Sequence, residues 1–320
     1  MANMFAVDGL CLARNVTYSS ILTIYGRPLR EEQAMTIKRI LVPMPGSLSD
    51  SAALDGARLV AGRCLAHISV LHARPPATEF LSQTLLVTRS TRRSVQLLAE
   101  REGDEQARRA RAVFEEYCAL HDLLPSPPEG PRQGPGITWL EKTGSPTSVL
   151  SLWGRLADLI VVPRPARYRD NSHDHKLVEA GLFHSGKPVL ICPPVVRDQI
   201  GAHIAIAWNG STESARAVSM AMPFLMQADT VNILQVADGS QELDAADLQD
   251  YLSSWGINAG THAFRHTESI GKELYSNARA IGADMLLMGA YGHSRSREMV
   301  LGGASREVIE HTEIPALLFK

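Results

Sequence analysis

The sequence predicts an α/β fold made of two tandem, doubly wound parallel-sheet domains. Three observations support this prediction. Short apolar runs of strand length alternate with amphipathic helical stretches from Ile37 to the end of the 320-residue chain. The same order of elements then occurs a second time, with a repeat of roughly 150 residues. Strands that alternate with helices form parallel sheets, and such sheets bind ligands outside the carboxyl ends of their strands.

The first copy is predicted to occupy residues 37–196 and the second copy residues 197–320. The first copy has strands at 37–43, 67–73, 137–143, 157–163 and 187–193, and helices at 49–65, 90–120, 145–156 and 171–185. Gly103 is a candidate interruption of the helix at 90–120. The second copy has strands within 203–211 and at 230–236, 261–266, 283–289 and 314–319, and helices at 213–226, 244–255, 270–281 and from Gly302–Gly303 onward.

Matching phrases support the duplication. RILVPMPGS at 39–47 corresponds to HIAIAWNGS at 203–211, and ADLIVV at 157–162 corresponds to ADMLLM at 283–288. Residues 1–36 have no counterpart in this pattern, and Met35 is a natural start. We therefore expect residues 1–36 to be an N-terminal extension with little packed structure. The alternative is a strand at 20–25 (SILTIY) that packs on the core.

Composition excludes several classes of protein. The formal net charge of −2 argues against a general nucleic-acid binder, which is usually strongly basic. The sequence has no apolar run of about eighteen residues and no secretory leader pattern, so we expect neither a membrane span nor export. The four cysteines are far apart and form no CxxC pair, which indicates reduced thiols in a cytoplasmic protein.

A glycine-rich stretch follows the fourth strand of the second copy. Gly289 and Gly292 come directly after the apolar run, and Gly302 and Gly303 stand where the next helix begins. Glycines at these points allow a tight turn and a close approach of the backbone to a ligand. The free N–H groups at a helix start favour an anion, most often a phosphate. The alternative is that the glycines only permit the turn from loop to helix.

This spacing, Gly-x2-Gly-x9-Gly followed by a small residue, resembles the nucleotide loop of the universal stress proteins. Together with the duplication, it makes residues 37–320 similar to a tandem universal stress protein of the UspA-like family. The resemblance implies Rossmann-like, adenine nucleotide alpha-hydrolase-like domains. One departure is that the residue after the third glycine is usually Ser or Thr, whereas here it is Gly303. Ser305 is the candidate substitute for the missing hydroxyl.

The resemblance also implies a set of site residues in the second copy. Asn209 would take the place of the family's Asp beside the adenine, since an amide both donates and accepts hydrogen bonds. Val236 would contact the base, and Trp208 would either stack on it or pack in the core. Met288 and Gly289 would lie near the ribose, while His293 and Arg295 would add charge at the phosphates. The alternative for Arg295 is a solvated loop side chain. The complete set is Ala207, Trp208, Asn209, Val236, Met288, Gly289, Gly292, His293, Gly302, Gly303, Ala304 and Ser305.

The first copy departs from the family pattern. Pro45 stands where the Asp would be, and Pro163 and Ala166 replace the first two glycines. We therefore expect no nucleotide there, and a scaffold role in which the first copy pairs with the second like two subunits of a dimer. The arginines at 164, 167 and 169 either attract an anion or form a solvated basic loop.

No catalytic residue and no metal site are expected. His173, Asp174, His175 and His184 are close in sequence but unsuited to converge on a metal. The resulting hypothesis is a stress-response protein that binds ATP or a related adenine nucleotide, with or without Mg²⁺. It would act as a regulator or sensor through an unidentified protein partner, as an intramolecular pseudo-dimer or a homodimer, with only slow, incidental hydrolysis. The alternative is a partner-docking or dimerisation module whose nucleotide site has decayed.

Overall fold

The computed structural model describes residues 37–46, 50–76, 89–126, 135–165, 173–237, 243–265, 269–290 and 303–320. The predictions for the N-terminal extension and its alternative strand lie outside these residues. So do those for the glycine loop, which includes Gly292, His293, Arg295 and Gly302.

The first copy contains five strands and four α-helices within its described residues. They are β1 (Arg39–Pro43), α1 (Asp50–Cys64), β2 (His67–Arg74), α2 (Arg89–Leu120), β3 (Gly136–Thr143), α3 (Pro146–Trp153), β4 (Leu159–Pro163), α4 (His173–His184) and β5 (Val189–Cys192). A short 3₁₀ turn, Gly154–Leu156, extends α3.

The second copy repeats this order after the predicted boundary at 196–197. Its elements are β6 (His203–Ala207), α5 (Thr212–Met220), α6 (Met222–Leu225), β7 (Thr230–Val236), α7 (Ala245–Ser253), β8 (Ala259–Phe264), α8 (Ile270–Ala280), β9 (Met285–Gly289), α9 (Gly303–His311) and β10 (Ala316–Phe319).

All ten strands form one sheet in the order β3-β2-β1-β4-β5-β10-β9-β6-β7-β8. Within each copy every pair of neighbouring strands is parallel. The copies meet through the antiparallel pair β5–β10, in which Ala316 lies opposite Ile191 and Leu318 opposite Val189. The α/β prediction is confirmed, and the single antiparallel pair makes the sheet mixed.

The core lies on both faces of the sheet, as doubly wound folds require. In β1, Ile40 and Val42 belong to one buried cluster, which also contains apolar residues of α1, α2, α5 and α7. The intervening Leu41 belongs to a second cluster, which contains residues of α3, α4, α8 and α9. All four residues of both β5 and β10 are buried. This burial explains why the central strands are continuous apolar runs in the sequence.

Two helices differ from the sequence expectation. Gly103 does not interrupt α2, which continues for 32 residues. The predicted helix at 213–226 is instead two helices, α5 and α6, that meet at Ala221. Pro223 explains this break, because proline has no N–H for the carbonyl four residues earlier and its ring collides with that carbonyl.

The long helix α2 carries many Arg and Glu residues along its length. Among the helices that the structure describes, none is both long and apolar enough to cross a membrane.

A buried carboxylate joins the start of β6 to the start of β9. Asp284 is 8% exposed and accepts hydrogen bonds from the backbone nitrogens of Gly201 (2.8 Å), Ala202 (3.0 Å) and His203 (3.1 Å). In the first copy the equivalent Asp158 is exposed and accepts from the backbone nitrogens of Lys38 and Arg39, each at 2.9 Å. The repeated sequences ADLIVV and ADMLLM therefore each contain an Asp whose carboxylate accepts hydrogen bonds from backbone nitrogens at the start of the neighbouring strand.

We expect Asp284→Ala to lower the free energy of unfolding by about 3 kcal/mol, since it leaves buried N–H groups without an acceptor. Asp158→Ala is the matched control, and water can replace its exposed carboxylate at a loss of about 1 kcal/mol. Urea denaturation of both variants measures the difference. Equal losses of unfolding free energy in the two variants would show that burial does not make the Asp284 contacts more stabilising than those of Asp158.

Candidate functional site

The candidate site lies where the carboxyl ends of β6, β7 and β9 meet. Ala207, the last residue of β6, is opposite Leu234 of β7 on one side and Met288 of β9 on the other. From β6 the chain continues to β7 on one side, whereas β9 lies on the other side. This is the switch point at which open α/β sheets bind ligands.

Asn209 follows β6 and is exposed at this edge of the sheet. Its Oδ1 accepts hydrogen bonds from the backbone nitrogen (3.2 Å) and the hydroxyl (2.7 Å) of Ser211. Ser211 in turn caps α5 by accepting from the backbone nitrogen of Ser214 at 3.2 Å. In the described part of the chain the Asn209 amide nitrogen makes no hydrogen bond, so it is available to donate to a ligand.

Trp208 packs and does not offer a face for stacking. Its side chain is 6% exposed, and its backbone nitrogen donates to Leu234 O at 2.9 Å. The indole Nε1 donates to the carbonyls of Leu243 (3.1 Å) and Asp244 (3.0 Å), just before α7. Of the two roles expected for Trp208, the structure therefore supports packing in the core and not stacking on a base.

Gly289, at the end of β9, is in close contact with the first turn of α5. A Cβ added there would lie 2.6 Å from the carbonyl carbon of Glu213 and 2.8 Å from the backbone nitrogen of Ser214. Met288 before it is buried, and Val236 at the end of β7 is half-buried. The glycine is thus required for helix packing, in addition to the ligand role expected from the sequence.

Helix α9 begins at Gly303, which is exposed and would accept a Cβ with no heavy atom within 4 Å. Ala304 is half-buried. The first N–H groups of a helix have no partner within the helix, so they are open to an anion. Ser305 is 5% exposed and shares the inner face of α9 with Val308 and Ile309. This position favours the backbone N–H of Ser305, and not its hydroxyl, as an anion donor.

Two residues at the start of α8, which the sequence did not single out, pack closely against α9 or donate a hydrogen bond to it. A Cβ on Gly271 of α8 would lie 2.6 Å from the carbonyl oxygen of Ala304 and 2.8 Å from Cβ of Glu307. Ser269 donates a hydrogen bond to the Glu307 carboxylate. In the sequence, the feature that could have predicted this contact is Gly271, a glycine near the start of an amphipathic helix.

The first copy preserves the backbone geometry but not the side chains of this site. Met44 N donates to Leu71 O at 2.9 Å, as Trp208 N does to Leu234 O. Pro45 occupies the place of Asn209. Arg164 is half-buried, and its Nη1 donates to Thr312 O of the second copy at 2.8 Å, so this side chain contacts the second copy. Ala166, Arg167 and Arg169 lie outside the described residues.

The three cysteines with described positions are buried thiols of low reactivity. Cys64, Cys118 and Cys192 are buried and free, and burial raises the pKa of each thiol, which keeps it protonated. Among the residues with described positions, no three His, Cys, Asp or Glu side chains come together as metal ligands.

Comparison with known proteins identifies similar folds. No family model matches the chain. A universal stress protein of Synechocystis is 51% identical over 37 residues, which are 12% of this chain and 13% of that relative. This match therefore spans only a small part of the relative's length.

Solved structures match over most of the chain. A universal stress protein from Archaeoglobus fulgidus is 18% identical with a TM-score of 0.64, and the match covers 88% of this chain and 98% of that one. A putative universal stress protein from Pseudomonas aeruginosa is 15% identical with a TM-score of 0.53, covering 89% of this chain and 94% of that one. At these identities the likeness establishes the fold.

We expect Gly289→Ala to destabilise the protein by about 1–3 kcal/mol, because the new methyl group overlaps the backbone of α5. Gly303→Ala is the matched control, since it adds the same group in open space and should be neutral or slightly stabilising. Urea denaturation checks both. A neutral Gly289→Ala would contradict the close approach of β9 and α5.

Proposed function

We propose that this UspA-like chain, which has two domain-like halves in tandem, binds ATP or a related adenine nucleotide in its C-terminal half. It would act as a regulator or sensor in a stress response. The observation that carries this proposal is that three strand ends meet at one edge of the sheet and that α9 is the helix that follows the last of these strands. Asn209 follows β6, Val236 and Gly289 are the last residues of β7 and β9, and Gly303 is the first residue of α9.

The base would lie between the ends of β6 and β7. Asn209 has a free amide donor, and adenine ring nitrogens are acceptors that such a donor can reach. The half-buried Val236 supplies apolar contact on the β7 side. Trp208 takes no direct part, but its two indole hydrogen bonds fix the backbone that carries Asn209.

The phosphates would lie at the start of α9. The backbone N–H groups of Gly303, Ala304 and Ser305 are the donors, and the helix dipole adds partial positive charge. Gly303 has no side chain, and no atom of the described residues lies within 4 Å of its Cβ position, which favours the approach of a bulky anion to this backbone. Any Mg²⁺ would arrive with the nucleotide. We assign no residue as a catalytic base, so the proposed activity is binding and not turnover.

The first half would serve as the responding partner. Arg164 joins the end of β4 to Thr312, the residue that follows α9. Arg63 of α1 makes a second connection, since its Nη2 donates to Gln227 O of the second half at 2.6 Å. A nucleotide that holds the start of α9 would thus act on a helix whose other end contacts the first half.

We expect Gly303→Glu to weaken Mg-ATP binding by roughly tenfold or more, which corresponds to about 1.4 kcal/mol. The added carboxylate would repel the phosphates, although an acidic residue at a helix start does not harm the fold. Isothermal titration calorimetry measures the affinity.

Gly303→Gln is the matched control, because it adds similar bulk without charge and should bind more tightly than the Glu variant. Gly303→Ser restores the hydroxyl that is usual in the family motif and should bind at least as tightly as the natural chain. Equal affinities for all three variants and the natural chain would place the phosphates elsewhere.

A further inference from the structure

A cavity of about 300 Å³ lies in the first half, at the carboxyl ends of β1 and β2. These strands correspond to β6 and β7, whose carboxyl ends belong to the candidate nucleotide site of the second half. Its size is at the lower end of the range of roughly 300–1,000 Å³ typical of small-molecule pockets. The lining residues are Pro43, Met44, Pro45, Leu71, Ala73, Pro75, Glu102, Gly103, Gln106, Pro146 and Leu177.

Apolar side chains dominate this lining. Eight of the eleven residues are Pro, Met, Leu or Ala, and the three others all belong to α2. Among the lining residues that the structure describes, Glu102 is the one charged residue; it is negative and exposed. Gln106 is already engaged, since its Nε2 donates to Pro45 O at 2.8 Å. The described part of the lining thus offers no positive charge to an anionic ligand.

Several described backbone groups beside the cavity cannot donate a hydrogen bond to a ligand. Four of the lining residues are prolines, which have no N–H. Met44 N donates to Leu71 O at 2.9 Å, and Met44 O accepts from His72 Nδ1 at 2.9 Å. Gly46 N donates to the carboxylate of Asp50 at 2.8 Å. At these strand ends the counterpart of Asn209 is therefore absent, and the backbone groups of Met44 and Gly46 are already paired.

We propose that this cavity binds an uncharged, largely apolar small molecule. An anionic ligand would meet the carboxylate of Glu102 and no described cation, whereas an apolar ligand would gain from desolvation of the proline, leucine and methionine surfaces. The first half would then be a second ligand-binding unit of different chemistry, and not only a scaffold. This inference does not depend on nucleotide binding by the second half.

The test compares two fluorescent probes on the full chain. N-phenyl-1-naphthylamine is uncharged, and 1-anilinonaphthalene-8-sulfonate has the same aromatic skeleton with one added sulfonate. We expect the uncharged probe to bind saturably, near one molecule per chain, and the sulfonate to bind roughly tenfold more weakly or worse. Failure of the uncharged probe to bind, or equal binding of the two probes, would overturn the proposal.

A variant with a side chain that fills the cavity tests whether the probe binds there. Gly103 of α2 lines the cavity, and no atom of the described residues lies within 4 Å of an added Cβ, so Gly103→Leu adds a side chain at this wall. Leucine also favours a helix more than glycine, so the melting temperature should not fall. We expect affinity for the uncharged probe to fall by roughly tenfold or more as the space fills.

Two controls separate this effect from general changes. Gly103→Ala adds only a methyl group and should retain binding. Gly62→Leu makes the same exchange on α1, at an exposed glycine that is also free of neighbours and outside the cavity, and should retain binding. Ala73→Met fills the cavity from β2 and should reproduce the loss. Unchanged binding in both filling variants would overturn the assignment.

Discussion

The antiparallel pairing of β5 with β10 determines how the two halves of the chain are arranged. Val189, Leu190, Ile191, Ala316, Leu317 and Leu318 are all fully buried. Without this pairing, both strands would be apolar sheet edges with unpaired backbone groups, which proteins avoid. Because the pair is antiparallel, the carboxyl ends of the strands in the two halves face opposite edges of the sheet. The candidate nucleotide site and the apolar cavity therefore lie on opposite edges, and the contact of Arg164 with Thr312 is one direct connection between the halves.

Most of the fold was predictable, because strand and helix periods are local properties of the sequence. β7 at 230–236 has the expected bounds, and the remaining described strands and helices lie at or near their expected positions. The strand partners of β5 and β10 were harder to predict, since a continuous apolar run indicates burial on both faces but does not identify the neighbouring strand. The break at Pro223 was visible as a residue type, but the amphipathic pattern around it suggested a continuous helix.

The candidate site was predictable only in part. Position along the strands correctly indicates that Ala207, Val236 and Met288 lie near the same edge of the sheet. The roles of single side chains depend on contacts distant in sequence, which no local pattern contains. Trp208 is held by carbonyls at 243 and 244, Gly289 is required by α5, and Gly271 is required by α9. The apolar cavity of the first half was not anticipated, because its prolines were interpreted as the loss of a site.

The most direct test of nucleotide binding is the adenine nucleotide content of the purified full chain. An acid extract analysed by mass spectrometry identifies what is carried through purification, and calorimetric titration with Mg-ATP measures any remaining capacity. The account predicts close to one nucleotide per chain, because the second half carries Asn209 after β6, whereas the first half has at that position Pro45, which has neither an N–H nor a polar side chain. An empty extract together with no heat of binding would contradict the account, and the glycines after β9 would then be explained by the close packing at Gly289 alone.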